Sequence, residues 1–123
     1  MYQHCPQLQT FDPAINNLRQ KIRHGSEADN PSLIAMWLSM EELEFARHRG
    51  LRWALYCAQF RLLLDAFADD LVASHWRALC LDNIYRPLCS LQRQAFCEGR
   101  KAHIMRLQYE LRITSQYFSY VQH

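Results

Sequence analysis

The chain of 123 residues has little of what usually announces a function. It has three glycines and four prolines, too few for a disordered or low-complexity segment. Glycine-rich phosphate loops, the serine elbow of hydrolases and the kinase signature are all missing. Five cysteines (Cys5, Cys57, Cys80, Cys89, Cys97) make an odd number, and no two stand in C-x-x-C spacing, so the zinc signature is absent too. His4, His24, His48, His103 and His123 fall into no ligand spacing with any of them. No run approaches the 18 consecutive apolar residues of a membrane-spanning helix. The first residues, "MYQHCPQLQTFD", lack the basic and apolar regions of a signal peptide. The expectation is a cytoplasmic protein with reduced thiols, without metal or cofactor. Cys57 and Cys80 read as small buried hydrophobes, and Cys5 as the thiol open to reagents.

Charge is nearly balanced. Fourteen Arg and Lys face twelve Asp and Glu, a net charge of +2. That does not suit a protein that binds polyanions or membrane surfaces as a whole. Residues 87–123 carry a modest excess of cations, enough only for a weak, salt-sensitive attraction to nucleic acid.

Half of the residues are hydrophobic, and they recur at helical spacing with no strand alternation. The fold class is therefore all-α: one domain of four to six helices, with residues 1–11 and 121–123 as tails. Asp12 and Pro13 open a first helix that Gly25 ends. Asn30 and Pro31 repeat the device for a second helix running to about His48. Residues 51 to about 82 form one helix or two, weakest at 73–75. A break follows at "LDNIYRP", because Pro87 disfavours helix in the residue before it. A fourth helix covers about 88–98 and a fifth about 100–120.

Three of these helices are apolar on two faces. In the fifth, Ile104, Leu107, Leu111 and Phe118 form one stripe, while Met105, Tyr109, Ile113 and Tyr120 form another almost opposite. In the second, Leu33, Met36, Met40 and Leu43 face one way, with Trp37 at their edge; Ile34, Leu38 and Phe45 face the other. Residues 51–71 repeat the arrangement, leaving a narrow solvent strip with Arg52, Gln59 and Asp70. A small bundle can enclose one such helix, whereas three leave a surplus of apolar surface. The surplus predicts a homodimer and a surface for a protein partner. Trp37, Met40, Tyr109, Ile113 and Tyr120 are its candidate contact residues, with Glu41 and Glu44 as an acidic rim around Trp37.

The chemistry-bearing residues read as structure. Asp65 and Asp69, four apart with Arg61 before them, make a salt-bridge ladder rather than a catalytic pair. His75 reads as a packing histidine. Residues 95–112 resemble the helix-turn-helix family at three positions: Ala95, Gly99 and Met105 stand where that motif has its small, turn and core residues. The polar Gln94, Glu98 and Arg100 depart from it. The resemblance implies an alternative, a DNA-binding regulator that contacts the duplex through Arg100, Lys101, Arg106 and Arg112. The leading expectation is a non-enzymatic bacterial regulatory protein that binds another protein, most concretely a transcription regulator that it sequesters as an antiactivator.

Overall fold

A computed structural model describes residues 12–121, with side chains described from 12 to 118. The expected N-terminal tail at 1–11, Cys5, and residues 122–123 of the expected tail at 121–123 lie outside the described residues, while Val121 belongs to the last helix. The described residues are all-helical: α1 (Pro13–His24), α2 (Leu33–Glu44), a 3-10 turn (Arg49–Leu51), α3 (Arg52–Phe67), α4 (Ser74–Asn83), α5 (Tyr85–Arg93) and α6 (Glu98–Val121).

Local chemistry sets these boundaries. The Asp12 carboxylate accepts from the Ala14 amide at 2.9 Å and caps α1. Gly25 ends α1 in the left-handed region at φ 62°, where its amide donates to the carbonyl of Ile22. α2 begins later than Asn30–Pro31 suggests. The Asn30 side chain accepts from the Ser32 hydroxyl rather than from a helix amide, and the chain turns before Leu33. α3 and α4 are separate helices, and the break at 68–73 lies upstream of the expected weak point. There Asp69 turns its carboxylate to the Leu71 amide at 2.9 Å, an alternative to continuing the helix.

The expected break before Pro87 all but disappears. Ile84 alone separates α4 from α5, and its own backbone is helical. Pro87 falls in the first turn of α5, where the missing N–H has no helical partner to lose. α5 accordingly runs from Tyr85 to Arg93 instead of 88–98.

α3 is the central helix, packed against α1, α4 and α5. Its two apolar faces are both covered, one more fully: Leu55 is buried with Ala58 and Leu62 half-buried beside it, while Phe60, Leu64 and Phe67 are all buried. The strip expected to face solvent is interrupted by Gln59, which is buried and donates to Glu41 at 3.1 Å. Glu41 is only 1% exposed and is gripped on its other side by Arg19. Of the acidic rim expected around Trp37, Glu41 is therefore half of a buried ion pair, and Glu44 is half-buried. Trp37 itself is 1% exposed, in the core with Ile34 and Leu38. Trp76, fully buried, ties α4 to α1 through its indole N–H, which donates to the Ile22 carbonyl at 2.9 Å. Cys80 is buried, which pushes its thiol up to about 12, and Cys89 and Cys97 are exposed.

Two stability predictions follow from this core. A Cβ on Gly25 would lie 2.9 Å from both Trp76 Cδ1 and Val72 Cγ1, in a backbone conformation that side chains disfavour. Gly25→Ala is expected to cost roughly 2–4 kcal/mol in urea unfolding, strain and overpacking together. Glu41→Ala leaves the Arg19 guanidinium and the Gln59 amide without their acceptor, and is expected to cost about 3 kcal/mol in the same measurement. A loss below about 0.5 kcal/mol, the range of ordinary surface substitutions, would show that the pair carries little of the fold.

Candidate interaction surface

α6 is the longest helix, 24 residues or roughly 36 Å, and its two apolar stripes meet different fates. Ile104, Leu107, Leu111 and Phe118 are buried against the bundle. Polar and aromatic contacts pin the same side. Glu110 accepts a two-pronged pair of hydrogen bonds from Arg61 of α3, both at 2.8 Å. The His103 ring lies 5.9 Å from that of Trp53, and Phe118 packs edge-on against Phe67 at 5.4 Å. Arg100 folds back over Trp53 at 4.6 Å and donates to the Gln94 carbonyl at 2.9 Å, closing the connection from α5.

The second stripe faces outward. Met105, Tyr109, Ile113 and Tyr117, four residues apart in succession, are 68, 58, 45 and 59% exposed. Cations flank them. By helical angle Lys101 and Arg112 lie along one margin and Arg106 toward the other. The Arg112 guanidinium sits 5.4 Å from the centre of the Tyr109 ring, and Arg106 approaches His103 Nδ1 at 3.4 Å. Of the two acids on the helix, Glu110 is held by Arg61, and Glu98 lies 3.6 Å from Lys101. The outer face of α6 is thus an apolar band with basic edges.

The residues expected at a contact surface divide accordingly. Tyr109 and Ile113 lie on the outer band. Tyr120 follows on the same helix, but its side chain lies outside the described residues. Trp37 is a correction: it belongs to the core, out of a partner's reach without unfolding. Met40 is half-buried and packed on that core, while Met36 and Leu43 of α2 are exposed. Tyr117 was not singled out from the sequence, although its i+4 spacing from Ile113 was the signal.

The residues of the DNA-reading alternative do not assemble. Ala95 lies in the connection between α5 and α6 rather than in a helix, and Met105 faces solvent instead of the core. Arg100 is engaged with Trp53 and Gln94, which leaves Lys101, Arg106 and Arg112 distributed around the apolar band.

Asp65 and Asp69 go to different arginines. Arg61 lies 3.6 Å from Asp65, and Arg23 donates to Asp69 at 2.8 Å. Burial raises the Asp65 carboxyl above its ordinary range, and the Arg23 hydrogen bond lowers that of Asp69. His75, expected in the packing, is exposed with Asp29 at 3.9 Å. Among the described residues no group of three or more His, Cys, Asp or Glu could hold a metal ion, and no helix is long and apolar enough to cross a membrane. No known protein family, curated protein or solved structure matches the chain.

The groups that anchor α6 are titratable. Burial, and then the nearby Arg106 and Arg61, lower His103 below the ordinary histidine value, so the folded state favours the neutral ring. The Arg61 hydrogen bonds lower Glu110. Both shifts make the unfolded chain bind more protons as pH falls, so stability is lost on acidification. His103 contributes its loss below about pH 6.5 and Glu110 below about 4.5. Urea midpoints measured between pH 7 and 5 should fall with pH in the wild type and fall less in His103→Gln. Equal slopes would remove His103 from the anchoring of α6.

Proposed function

We propose that this protein is a non-enzymatic regulatory module that captures an amphipathic helix of another protein on the outer band of α6. The reading is carried by one observation: four large apolar side chains in a continuous row stand exposed on a helix whose opposite face is firmly docked. A row of this kind matches the anchor spacing by which helices bind helices. Rows of exposed apolar residues mark interaction sites on proteins that otherwise hide such surface.

The basic margins favour the chemistry of the occupant, a helix whose own apolar stripe is edged by Asp and Glu. Arg112 on Tyr109 suits this role. A guanidinium already stacked on a ring loses less freedom when it meets a carboxylate. A second copy of this chain would bring the same cations to the seam, at a cost in like-charge repulsion. The homodimer expected from the sequence is therefore the competing occupant of the band. The most concrete form of the proposal is a bacterial, cytoplasmic antiactivator that sequesters a transcription regulator.

A photo-crosslinking residue at position 109, in cells that produce the protein, is expected to join it to a second protein through a helix with acidic edges. Ile113→Asp should weaken that capture by more than about tenfold, the effect of a hot-spot residue, with an unchanged far-UV circular dichroism spectrum. Crosslinks only between copies of this chain would make the band a dimer seam. Crosslinks indifferent to Ile113→Asp would remove the band as the docking site.

A further inference from the structure

A second feature lies at the other edge of α6, where its last described turns meet the start of α4 and the end of α3. A cleft of about 240 Å³ opens there, walled by Phe67, Ala78, Leu81 and Phe118. Its polar lining is Ser74, Ser115 and Arg77. Among the described residues no carboxylate lines it.

Arg77 is unusual for an arginine, only 7% exposed. Its Nε donates to the Phe67 carbonyl at 2.8 Å. The guanidinium lies 4.2 Å from the centre of the Phe118 ring and 5.9 Å from that of Phe67. One nitrogen, Nη2, is buried and has no hydrogen-bond partner. The nearest acid, Asp70, reaches only 3.9 Å from it and is itself largely exposed. A buried guanidinium nitrogen lacking a hydrogen-bond acceptor is costly, and a protein keeps one where something completes it.

We infer that this cleft binds a small organic carboxylate with an apolar body. Its charge meets the Arg77 guanidinium, and its body lies among Phe67, Leu81 and Phe118. The guanidinium is the strongest donor present and favours an anion. A carboxylate accepts from the guanidinium edge with a strength that a neutral carbonyl does not match. The hydroxyls of Ser74 and Ser115 are at hand for its second oxygen. Ser74 opens α4, where Ala73 supplies no side-chain acceptor to the first turn, so the positive end of that helix lies beside the site. The four apolar walls exclude inorganic anions as the preferred ligand, because a bare ion covers none of them. The volume falls below the roughly 300 Å³ at which drug-sized pockets begin, which sets the scale at a single ring or a short chain. This proposal is independent of the outer band of α6.

Benzoate is the probe and benzamide its uncharged counterpart, titrated into the full chain with the Arg77 side-chain Nε–Hε resonance and the Ser115 amide followed by NMR. Benzoate is expected to shift both to saturation, and benzamide to bind at least about tenfold more weakly for want of the charge-assisted contact. Asp70→Asn, which removes the nearest acid among the described residues, should tighten benzoate several-fold. Arg77 belongs to the packing, so its removal risks the fold. Ser115→Leu instead fills the cleft from its half-exposed rim, and should abolish binding with thermal unfolding unchanged. Equal affinity for benzoate and benzamide, shifts that do not saturate, or unaltered binding to Ser115→Leu would each overturn the inference.

Discussion

The architecture depends on one requirement, that α3 be covered on every side. Its sequence places large apolar residues on opposite faces, and neither face can be left in water without forgoing roughly 1.5–3 kcal/mol for each Leu or Phe exposed. α1, α4 and α5 meet this demand. The polar residues that α3 does carry are consequently drawn into pairing. Gln59 is buried against Glu41, and Arg61 reaches out to hold Glu110 of α6. A helix with only one greasy face would have needed neither bond.

The same requirement explains why α6 differs from the rest. By the time the chain reaches it, most of α3 is enclosed, and α6 adds one face of cover at the bundle's edge. It docks through Ile104, Leu107, Leu111 and Phe118, with the Arg61–Glu110 fork fixing its register. Nothing among the described residues then calls for its second stripe. Met105, Tyr109, Ile113 and Tyr117 stay about half or more in solvent, so they contribute far less folding energy than the buried stripe. Their presence in a row is the feature that folding alone does not account for.

Much of this was legible in the residues, and the parts that were not have identifiable causes. Asp12, Pro13 and Gly25 bracket α1 because capping chemistry is local. The division of 51–82 into two helices was open in the sequence, and its cause, Asp69 capping a turn, is equally local but cheap to mistake for a surface charge. Pro87 was misleading because a proline in a first turn and a proline after a break look alike until the neighbouring helix is placed. The two-sidedness of α3 and α6 was visible from periodicity. Which of them would be enclosed was not, since that is decided by packing between segments far apart in the chain. Trp37 and Glu41 show the same limit: an aromatic beside an acid reads as a rim, yet Arg19, 22 residues away from Glu41, converts it into a buried pair.

Consequences for α6 follow from its position between two candidate sites. Ile113 and Tyr117 belong to the outer band, Ser115 and Phe118 to the Arg77 cleft, and all four lie within about one and a half turns of the same helix. A ligand that completes Arg77 would hold Phe118 against Phe67 and so favour the docked position of this segment. A partner on the outer band would favour whichever position presents Ile113 and Tyr117 together. When both select the same arrangement, each ligand must strengthen the other by an equal factor, because linkage is reciprocal. The arginine fork and the pair of phenyl rings pin one side of that helix, and the outer band lies on the other.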